Sequence, residues 1–340
     1  MKAPSISVAL ATYNGERYLA EQLGSLERQS LPPSEVVVCD DCSTDGTVSL
    51  VKDFDRRSRF TVRLHVNETR LGFADNFLNA ASMCSGDAVA FCDQDDVWHE
   101  DKLRRCAAAF VPGVVLVAHT SAVVDEHLRP LGRVFPRIRR PFVAEPLEAD
   151  KWFHMPGMAM VFAADLLRIA DWRHRPRSHF VPGAMVYHDE WIHVLAQVCG
   201  RIAFLPDTLA FYRQHGVNVT GAPGGRVSDF SRDALTVGLD YYRSRAGQAR
   251  EWADLFGRLG DAEPDPARRC RYVRGAAFFD ELGRSLELRV SVYEPEKRAS
   301  RLARLLHVLR SGGYGSRSRG GFGARGLARD AVMVALGRGR

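Results

Sequence analysis

The chain has 340 residues, of which 46% are hydrophobic, 26% charged and 9% aromatic. This composition excludes a disordered or collagen-like chain and allows one or two globular domains. The formal net charge is +6, but residues 1–221 carry 24 Lys and Arg against 27 Asp and Glu, while residues 222–340 carry 23 against 14. The basic excess of the C-terminal part indicates contact with an anionic surface, either lipid head groups or nucleic acid.

Strands and helices are predicted to alternate in the first hundred residues. Apolar runs predict strands, and apolar residues at helical spacing predict the helices between them. The strands are predicted over residues 6–11, 36–39, 62–66 and 88–92, and the helices over residues 16–29, 48–54 and 76–83. This rhythm predicts an α/β fold with a Rossmann-like, mostly parallel sheet flanked by helices. In such sheets, ligands bind at the carboxyl ends of the strands.

Polar loops follow three of the predicted strands. They are Thr12-Tyr13-Asn14, Asp40-Asp41 and Asp93-Gln94-Asp95-Asp96. Three carboxylates within four positions repel one another unless a cation or a hydrogen-bonding ligand lies against them. Hard oxygen ligands suit Mg²⁺ or Mn²⁺, and Mg²⁺ usually arrives with substrate phosphates. The three loops together predict a metal–diphosphate site, although the acidic cluster alone is also typical of a solvated turn.

The cysteines and the apolar runs bear on location. Seven cysteines, an odd number, are scattered along the chain, and Met1-Lys2-Ala3-Pro4 leads into the first predicted strand without a signal peptide. This pattern predicts a reducing, cytoplasmic environment. No apolar run approaches the ~20 residues that span a bilayer. The longest runs, near Val114–Ala118 and Met158–Ala164, predict buried strands or short core segments.

The character of the sequence changes near Pro223-Gly224-Gly225. Residues 223–310 are predicted to form an Arg-rich helical extension, and residues 311–340 a basic, Gly- and Arg-rich flexible tail. Within the extension, residues 298–310 place arginines and leucines on different faces of a helix. A basic amphipathic helix of this kind either lies on an anionic membrane or packs on the protein with a solvated arginine face.

Six segments, in this order, resemble the glycosyltransferase family 2 enzymes, which have the GT-A fold. The more specific resemblance is to the rhamnosyltransferase-type members that build bacterial surface polysaccharides. The segments are residues 8–14, 37–47, 91–98, 155–158, 188–191 and 212–218. The resemblance covers residues 5–220. It implies a catalytic domain of residues 1–222, with a donor half of about 1–100 and an acceptor half of about 101–222.

The resemblance implies donor-side roles for the strand-end loops. Tyr13 would offer an aromatic face to a nucleobase, and Asp41 would accept an N–H of uracil or thymine. The alternative for Asp41 is an acid favoured by the dipole of a helix N-terminus. Asp93 and Asp95 form a D-x-D motif, in which Asp95 would bind the metal directly and Asp93 would contact the ribose and the water shell of the metal. The other donor-side residues implied are Ala11, Thr12, Asn14, Asn76, Gln94 and Arg213.

Four residues at or near these loops have separate expectations. His215 is implied as a third metal contact, and Arg213 as a contact to the diphosphate. Asp96 is expected to cap the helix after Trp98. Asn76 departs from the family pattern, because Asp75 stands where many members have Arg.

A single carboxylate is expected to act as the catalytic base. A metal ion stabilises the leaving diphosphate, so a transferase needs one protein base, whereas a glycosidase needs two carboxyls. The resemblance assigns this base to Asp189, with Glu190 as second choice. The alternative for Asp189 is the N-cap of a helix over residues 191–198. The acceptor-side residues implied are Trp152, Pro156, Gly157, Glu190 and Trp191. Trp152 and the loop of residues 155–158 could instead be core.

We therefore predict an inverting glycosyltransferase that requires Mg²⁺ or Mn²⁺. Its donor would be a dTDP or UDP sugar, with dTDP-L-rhamnose as one candidate, and its acceptor a glycan or a lipid-linked glycan at the inner face of the plasma membrane. A sugar-nucleotidyltransferase would also place carboxylates and a metal on an α/β sheet, but residues 11–14 lack its Gly-rich phosphate loop. A nucleic-acid-binding module is disfavoured by the acidic first 221 residues.

Overall fold

Parallel strands and helices alternate through the first part of the computed structural model, which describes residues 3–149, 155–181, 183–216, 239–293, 298–315 and 321–335. The elements of this part are β1 (Ile6–Thr12), α1 (Glu16–Glu27), β2 (Glu35–Asp40), α2 (Thr47–Asp55), β3 (Thr61–Val66), α3 (Phe73–Ser82) and β4 (Ala88–Asp93). The four predicted strands and the three predicted helices are all present, with bounds that differ by a few residues.

The remaining strands add antiparallel neighbours to the parallel strands of the sheet. The elements are β5 (Val97–Trp98), α4 (Lys102–Ala109), β6 (Val114–Val124), β7 (Pro130–Val134), β8 (Phe142–Ala144), β9 (Met160–Ala163), α5 (His188–Cys199) and β10 (Arg201–Arg213). The strand order is β3-β2-β1-β4-β9-β6-β10-β5, with β7 beside β6 and β8 beside β10. Strand β9 runs antiparallel to both β4 and β6. Strands β1 to β4 are parallel, as predicted, because a helical crossover connects each of the first three to the strand that follows it in the chain.

The register of the parallel strands brings the polar strand ends to one edge. Thr12 pairs with Asp40 of β2, and Ala11 pairs with Asp93 of β4. Strand β1 has a parallel neighbour on each side, so the strand order reverses here. Such a reversal is the usual ligand-binding point of an α/β sheet. Buried apolar residues of β1 and α1, such as Leu10 and Leu23, pack in the core below this edge.

The chain divides into two compact units. The first comprises residues 1–146, 155–174 and 187–223, and the second comprises residues 147–154, 175–186 and 224–340. The second unit thus takes two segments from inside the acceptor half that the sequence predicted. Hydrogen bonds within the second unit hold one of these segments in it. The backbone N–H and the guanidinium of Arg177 both donate to the carboxylate of Glu251 at 2.7 Å.

The described residues of the predicted helical extension are mostly helical. The helices of the second unit are α6 (Leu239–Ala262), α7 (Pro266–Ser291), α8 (Arg298–Arg310) and α9 (Gly323–Ala335). Helix α7 begins with Pro266 after an Asp265 N-cap, whose carboxylate accepts the backbone N–H of Arg268 at 2.8 Å. No helix in the described part of the chain combines the length and the apolarity needed to cross a membrane.

The structure differs from the prediction that residues 311–340 form a flexible tail, because α9 is a packed helix. Its Asp330 is fully buried and accepts hydrogen bonds from the guanidinium of Arg289 at 2.8 and 2.9 Å and from the hydroxyl of Tyr314 at 2.6 Å. Composition alone cannot reveal this tertiary pairing. Residues 316–320 and 336–340 lie outside the described residues.

Candidate functional site

Polar groups tie together the carboxyl ends of β1 and β2. The hydroxyl of Thr12 donates to Oδ2 of Asp40 at 2.9 Å, and the backbone N–H of Asp41 donates to the carbonyl of Thr12 at 2.8 Å. Ala11 and Thr12 are both buried. They form the base of this edge, and their contact with a donor stays a prediction.

The loop after β1 is held on two sides. The side-chain amide of Gln94 accepts the backbone N–H of Tyr13 at 2.9 Å and donates to the Tyr13 carbonyl at 3.0 Å. A Cβ at Gly15 would lie 2.2 Å from Oε1 of Gln94, so a larger residue there would displace the amide from Tyr13. Asn14 has a φ of 45° and accepts the N–H of Thr44 at 2.9 Å. Gln94 therefore joins the acidic turn to the predicted nucleobase loop.

Asp41 and Asn76 are engaged inside the protein. The Asp41 carboxylate accepts the N–H groups of Leu71 at 2.7 Å and Gly72 at 3.0 Å, and the amide of Asn67 at 3.0 Å. Asn76 is buried and donates to the carbonyl of Cys39 at 2.8 Å. Both residues order the strand-end loops in this structure, and a direct contact with a donor stays a prediction for each.

An arginine that the sequence did not single out lies against Tyr13. The guanidinium carbon of Arg70 is 3.6 Å from the centroid of the Tyr13 ring. Its Nε lies 3.8 Å from Oδ2 of Asp41, and its side chain is largely exposed. A guanidinium over an aromatic ring gains cation–π attraction, and it can also contact an anionic ligand. No sequence pattern marks Arg70, because the contact depends on how the loop folds back.

Asp95 and His215 meet although 120 residues separate them. Nε2 of His215 lies 2.7 Å from Oδ2 of Asp95, and the His215 ring lies 4.8 Å from that of Tyr18. The structure thus brings together two of the three predicted metal ligands. Tyr18 was not predicted as a site residue, since helical spacing marked it only as apolar.

Burial and mutual repulsion disfavour charge on the acidic turn. Burial and the neighbouring charge of Asp95 raise the pKa of Asp93 to about 7, and the charge of Asp189 adds to the effect. Burial raises the pKa of Asp96 well above its usual range, again with a contribution from Asp95. The contribution of Asp189 indicates that this predicted base lies close enough to the acidic turn to interact with it.

Lys102 supplies a buried positive charge behind the acidic turn. Its Nζ donates to the carbonyl of Met158 at 2.8 Å and lies 3.6 Å from the centroid of the Trp98 ring. Burial lowers the pKa of Lys102 to about 8, while nearby groups including Asp96 oppose that shift. The sequence analysis missed this residue, because a lysine in the first turn of a helix is usually solvated.

The structure corrects the role expected for Arg213. Its side chain is 1% exposed, and its guanidinium donates at 2.6 Å to three acceptors, the carbonyls of Asp95 and Glu126 and the carboxylate of Glu21. The guanidinium therefore does not reach out to a diphosphate. Its physical role is to hold the acidic turn against the neighbouring loops.

Asp96 also differs from its expected role as a helix cap. Its Oδ1 accepts the backbone N–H of Arg213 at 2.9 Å. The next helix begins at Lys102, and Asp101 occupies its N-cap position. Asp96 therefore joins the acidic turn to the end of β10, and the pairing of two distant segments is what the local sequence could not indicate.

Asp189 lies in the first turn of α5. Its carboxylate accepts the backbone N–H of Glu190 at 2.8 Å and that of Gly157. Burial nevertheless raises the pKa of Asp189 to about 6. The neighbouring ring of His188 stacks on Phe77, with centroids 4.2 Å apart. Packing of His188 fixes the start of the helix and with it the position of the Asp189 carboxylate.

The other acceptor-side predictions have mixed outcomes. A Cβ at Gly157 would lie 2.6 Å from Nε2 of His188, so this glycine permits close packing beside Asp189. Pro156 is half-buried, whereas Glu190 is buried. Trp191 is fully buried, which makes it a core residue rather than part of a pocket wall. Trp152 lies outside the described residues.

The residues of the acidic turn fit a hard divalent cation. In the described part of the chain, no three His, Cys, Asp or Glu side chains already form a group that could hold a metal. Asp95 and His215 are nevertheless in contact, and Oδ2 of buried Asp96 lacks a hydrogen-bond partner among the described residues. Carboxylate and imidazole ligands suit a divalent cation such as Mg²⁺ or Mn²⁺. Asp95 and His215 would hold the ion, with Asp93 beside them.

These features define an α/β protein that presents an aromatic loop and a carboxylate cluster at the carboxyl ends of its parallel strands. The sequence model of the family Glycosyl transferase family 2 matches residues 7–168. Residues 7–168, a little less than half of the chain, are thus similar to this family. The crystal structure of S. aureus TarS 1–349 in complex with UDP-GlcNAc matches with a TM-score of 0.52 at 18% identity, covering 82% of this chain and 91% of that chain. This likeness shows that the fold is GT-A.

Two curated relatives illustrate the similarity in sequence. An uncharacterized protein of Mycobacterium tuberculosis is 27% identical over 222 residues, which are 62% of this chain and 59% of that protein. The putative teichuronic acid biosynthesis glycosyltransferase TuaG of Bacillus subtilis is 33% identical over 136 residues, which are 37% of this chain and 52% of TuaG. The match thus spans little more than half the length of each of these relatives.

Proposed function

We propose that the protein is an inverting, metal-dependent glycosyltransferase that uses a nucleotide-diphosphate sugar. The observation that carries the proposal is the arrangement at one sheet edge. The Tyr13 loop and the acidic turn are joined there by Gln94, and the separate carboxylate of Asp189 acts electrostatically on Asp93. A donor site and a base within electrostatic reach of each other are what transfer of a glycosyl group requires.

On the donor side, Tyr13 would stack on the nucleobase, with Arg70 beside it. Asp95 and His215 would bind the divalent cation, and Asp93 would contact the ribose and the water shell of the ion. When bound, the cation stabilises the negative charge that grows on the leaving diphosphate. Arg213 positions Asp95 through its backbone carbonyl, at 2.6 Å.

On the acceptor side, Asp189 would take the proton of the attacking hydroxyl. The hydroxyl oxygen then bonds to the anomeric carbon on the face opposite the diphosphate, and the bond from that carbon to the diphosphate oxygen breaks. One displacement of this kind inverts the anomeric configuration. A pKa of about 6 for Asp189 keeps the carboxylate ionised at neutral pH and makes it a stronger base than an exposed aspartate. Glu190 is the alternative base.

The donor we propose is a dTDP or UDP sugar, with dTDP-L-rhamnose as one candidate. The printed name of TuaG refers to teichuronic acid biosynthesis, which supports a bacterial cell-surface polymer or its lipid-linked precursor as acceptor. We place the reaction in the cytoplasm, at the inner face of the membrane. The odd number of cysteines scattered along the sequence supports a reducing compartment.

A panel of dTDP-, UDP- and GDP-sugars, each with Mn²⁺ or Mg²⁺, tests the proposal. Thermal shift identifies the nucleotide that binds, and release of the nucleoside diphosphate measures turnover. We expect one uracil or thymine nucleotide sugar to stabilise the protein only when the metal is present. Equal stabilisation with EDTA would contradict the metal role, and no response to any nucleotide sugar would contradict the proposed function.

A further inference from the structure

Helix α8 (Arg298–Arg310) has apolar residues on two sides. Leu305 and Val308 are buried within the second unit, as expected for a packed helix. Three other leucines face outward, with exposed fractions of 50%, 41% and 44%, and they are Leu302, Leu306 and Leu309. Their spacing of four and three residues places them on one face of the helix. Packing among the described residues leaves this leucine stripe exposed.

Two arginines of α8 lie against the protein rather than on a solvated face. Arg301 is buried, and the guanidinium of Arg304 donates to the carbonyl of Ser291 at the end of α7, at 2.7 Å. The hydrogen bond of Arg304 ties α8 to the end of α7. The leucine stripe is consequently presented outward in a fixed orientation.

No acid borders the leucine stripe within its own helix, and Arg310 supplies an exposed positive charge. Residues 298–310 contain four arginines, one histidine and no acid, and His307 and Arg310 are exposed beside the leucines. The single acid between residues 297 and 340 is Asp330, which is buried and bonded to Arg289. An apolar stripe with basic neighbours complements an anionic lipid surface. It does not complement a second copy of itself, because the like charges repel.

We propose that the leucine stripe of α8 docks the protein on an anionic lipid surface. The helix would lie in the plane of the interface, with the three leucines in the acyl boundary and Arg310 at the phosphate level. This inference does not depend on sugar transfer. If both hold, docking brings the enzyme to the surface on which a lipid-linked acceptor is anchored.

Flotation of the full chain with vesicles tests the proposal without any donor or activity. The vesicles are phosphatidylcholine mixed with phosphatidylglycerol, or phosphatidylcholine alone. We expect the protein to float with the anionic vesicles and to bind neutral vesicles far more weakly. The triple variant Leu302→Gln, Leu306→Gln, Leu309→Gln should lose about a hundredfold in vesicle affinity, at about fivefold for each half-exposed leucine.

The matched control is Val273→Gln on α7. Val273 is an apolar residue outside the stripe, and its exposed fraction of 54% is similar to those of the three leucines. The control variant should float like the wild-type protein. If the triple variant melts below the wild type, the single variants Leu302→Gln and Leu306→Gln carry the test, with about a fivefold loss each. Flotation of the triple variant at the wild-type level would overturn the proposal, as would failure of the wild type to float. A wild-type dimer that the triple variant converts to a monomer, with no vesicle binding, would assign the stripe to self-association instead.

Discussion

Replacing Asp189 with asparagine is expected to abolish sugar transfer while stabilising the fold. Asparagine keeps the size of the side chain but cannot take a proton from an acceptor hydroxyl. A positioned general base contributes about 10²- to 10⁴-fold to a rate, so kcat should fall by about a thousandfold. Donor affinity should change little, because Asp189 is proposed to act on the acceptor.

The expected gain in stability follows from the pKa of the same carboxyl. Burial raises the pKa of Asp189 from 3.8 to about 6, and a shift of about two pKa units corresponds to about 3 kcal/mol. Between these pH values the folded protein binds more protons than the unfolded chain, so the free energy of unfolding falls as pH rises. Because Asp189 is only half-buried, solvent screens its charge. We therefore expect the raised pKa to lower the free energy of unfolding by only about 1–2 kcal/mol at pH 7. The asparagine variant would gain this amount at pH 7 and nothing below about pH 4.

Two measurements check this prediction. Diphosphate release gives turnover, and thermal unfolding of the metal-free protein at pH 4 to pH 8 gives the stability difference. In the wild type, kcat/KM should rise with pH through about 6, the pKa of Asp189. The matched variant Glu190→Gln should keep most of the turnover. Near-normal turnover of Asp189→Asn, or loss of activity only in Glu190→Gln, would refute the assignment of the base.

Three further substitutions probe the site. Asp95→Ala should abolish the Mn²⁺-dependent part of donor binding in calorimetry, and unchanged affinity with Mn²⁺ would contradict its role as a ligand. Arg213→Met leaves two carbonyls without their donor, so the free energy of unfolding, measured by denaturation, should fall by about 2–4 kcal/mol. A fall of less than about 1 kcal/mol would argue against the positioning role of Arg213. Gly157→Ala places a Cβ 2.6 Å from Nε2 of His188 and should lower kcat at least tenfold, whereas Gly257→Ala, which meets open space, should leave it unchanged. Equal kcat values for the two alanine variants would show that the start of α5 tolerates displacement.

Local sequence was sufficient for the parallel half of the sheet and its polar strand ends. Apolar runs such as that of β4 mark buried strands, and parallel strands place their carboxyl ends together. The family resemblance, and not the spacing of the residues in the sequence, predicted that Asp95 and His215 act together. Asn67 directly follows β3, so the same strand-end rule could have predicted it as part of this edge. In the structure its amide donates a hydrogen bond to Asp41.

Long-range packing decided what the sequence could not predict. Arg213 was expected to contact phosphate, but its guanidinium donates to the carboxylate of Glu21, 192 positions away, and no local pattern indicates that neighbour. The buried position of Lys102 likewise depends on the carbonyl of Met158. The packing of α9 rests on the pairing of Asp330 with Arg289, whereas Gly- and Arg-rich composition favoured a flexible tail.

The Gln94 amide has a consequence for how donors are selected. One side chain fixes both the backbone of Tyr13 and the turn that carries the acids, so the two loops shift together. Under the proposed function, an ordered base loop favours the cation and a bound cation favours the base loop. Such coupling is reciprocal by thermodynamic necessity. The nucleotide should then tighten metal binding by the same factor as the metal tightens nucleotide binding, and weakening of the Gln94 bridge would reduce both factors equally.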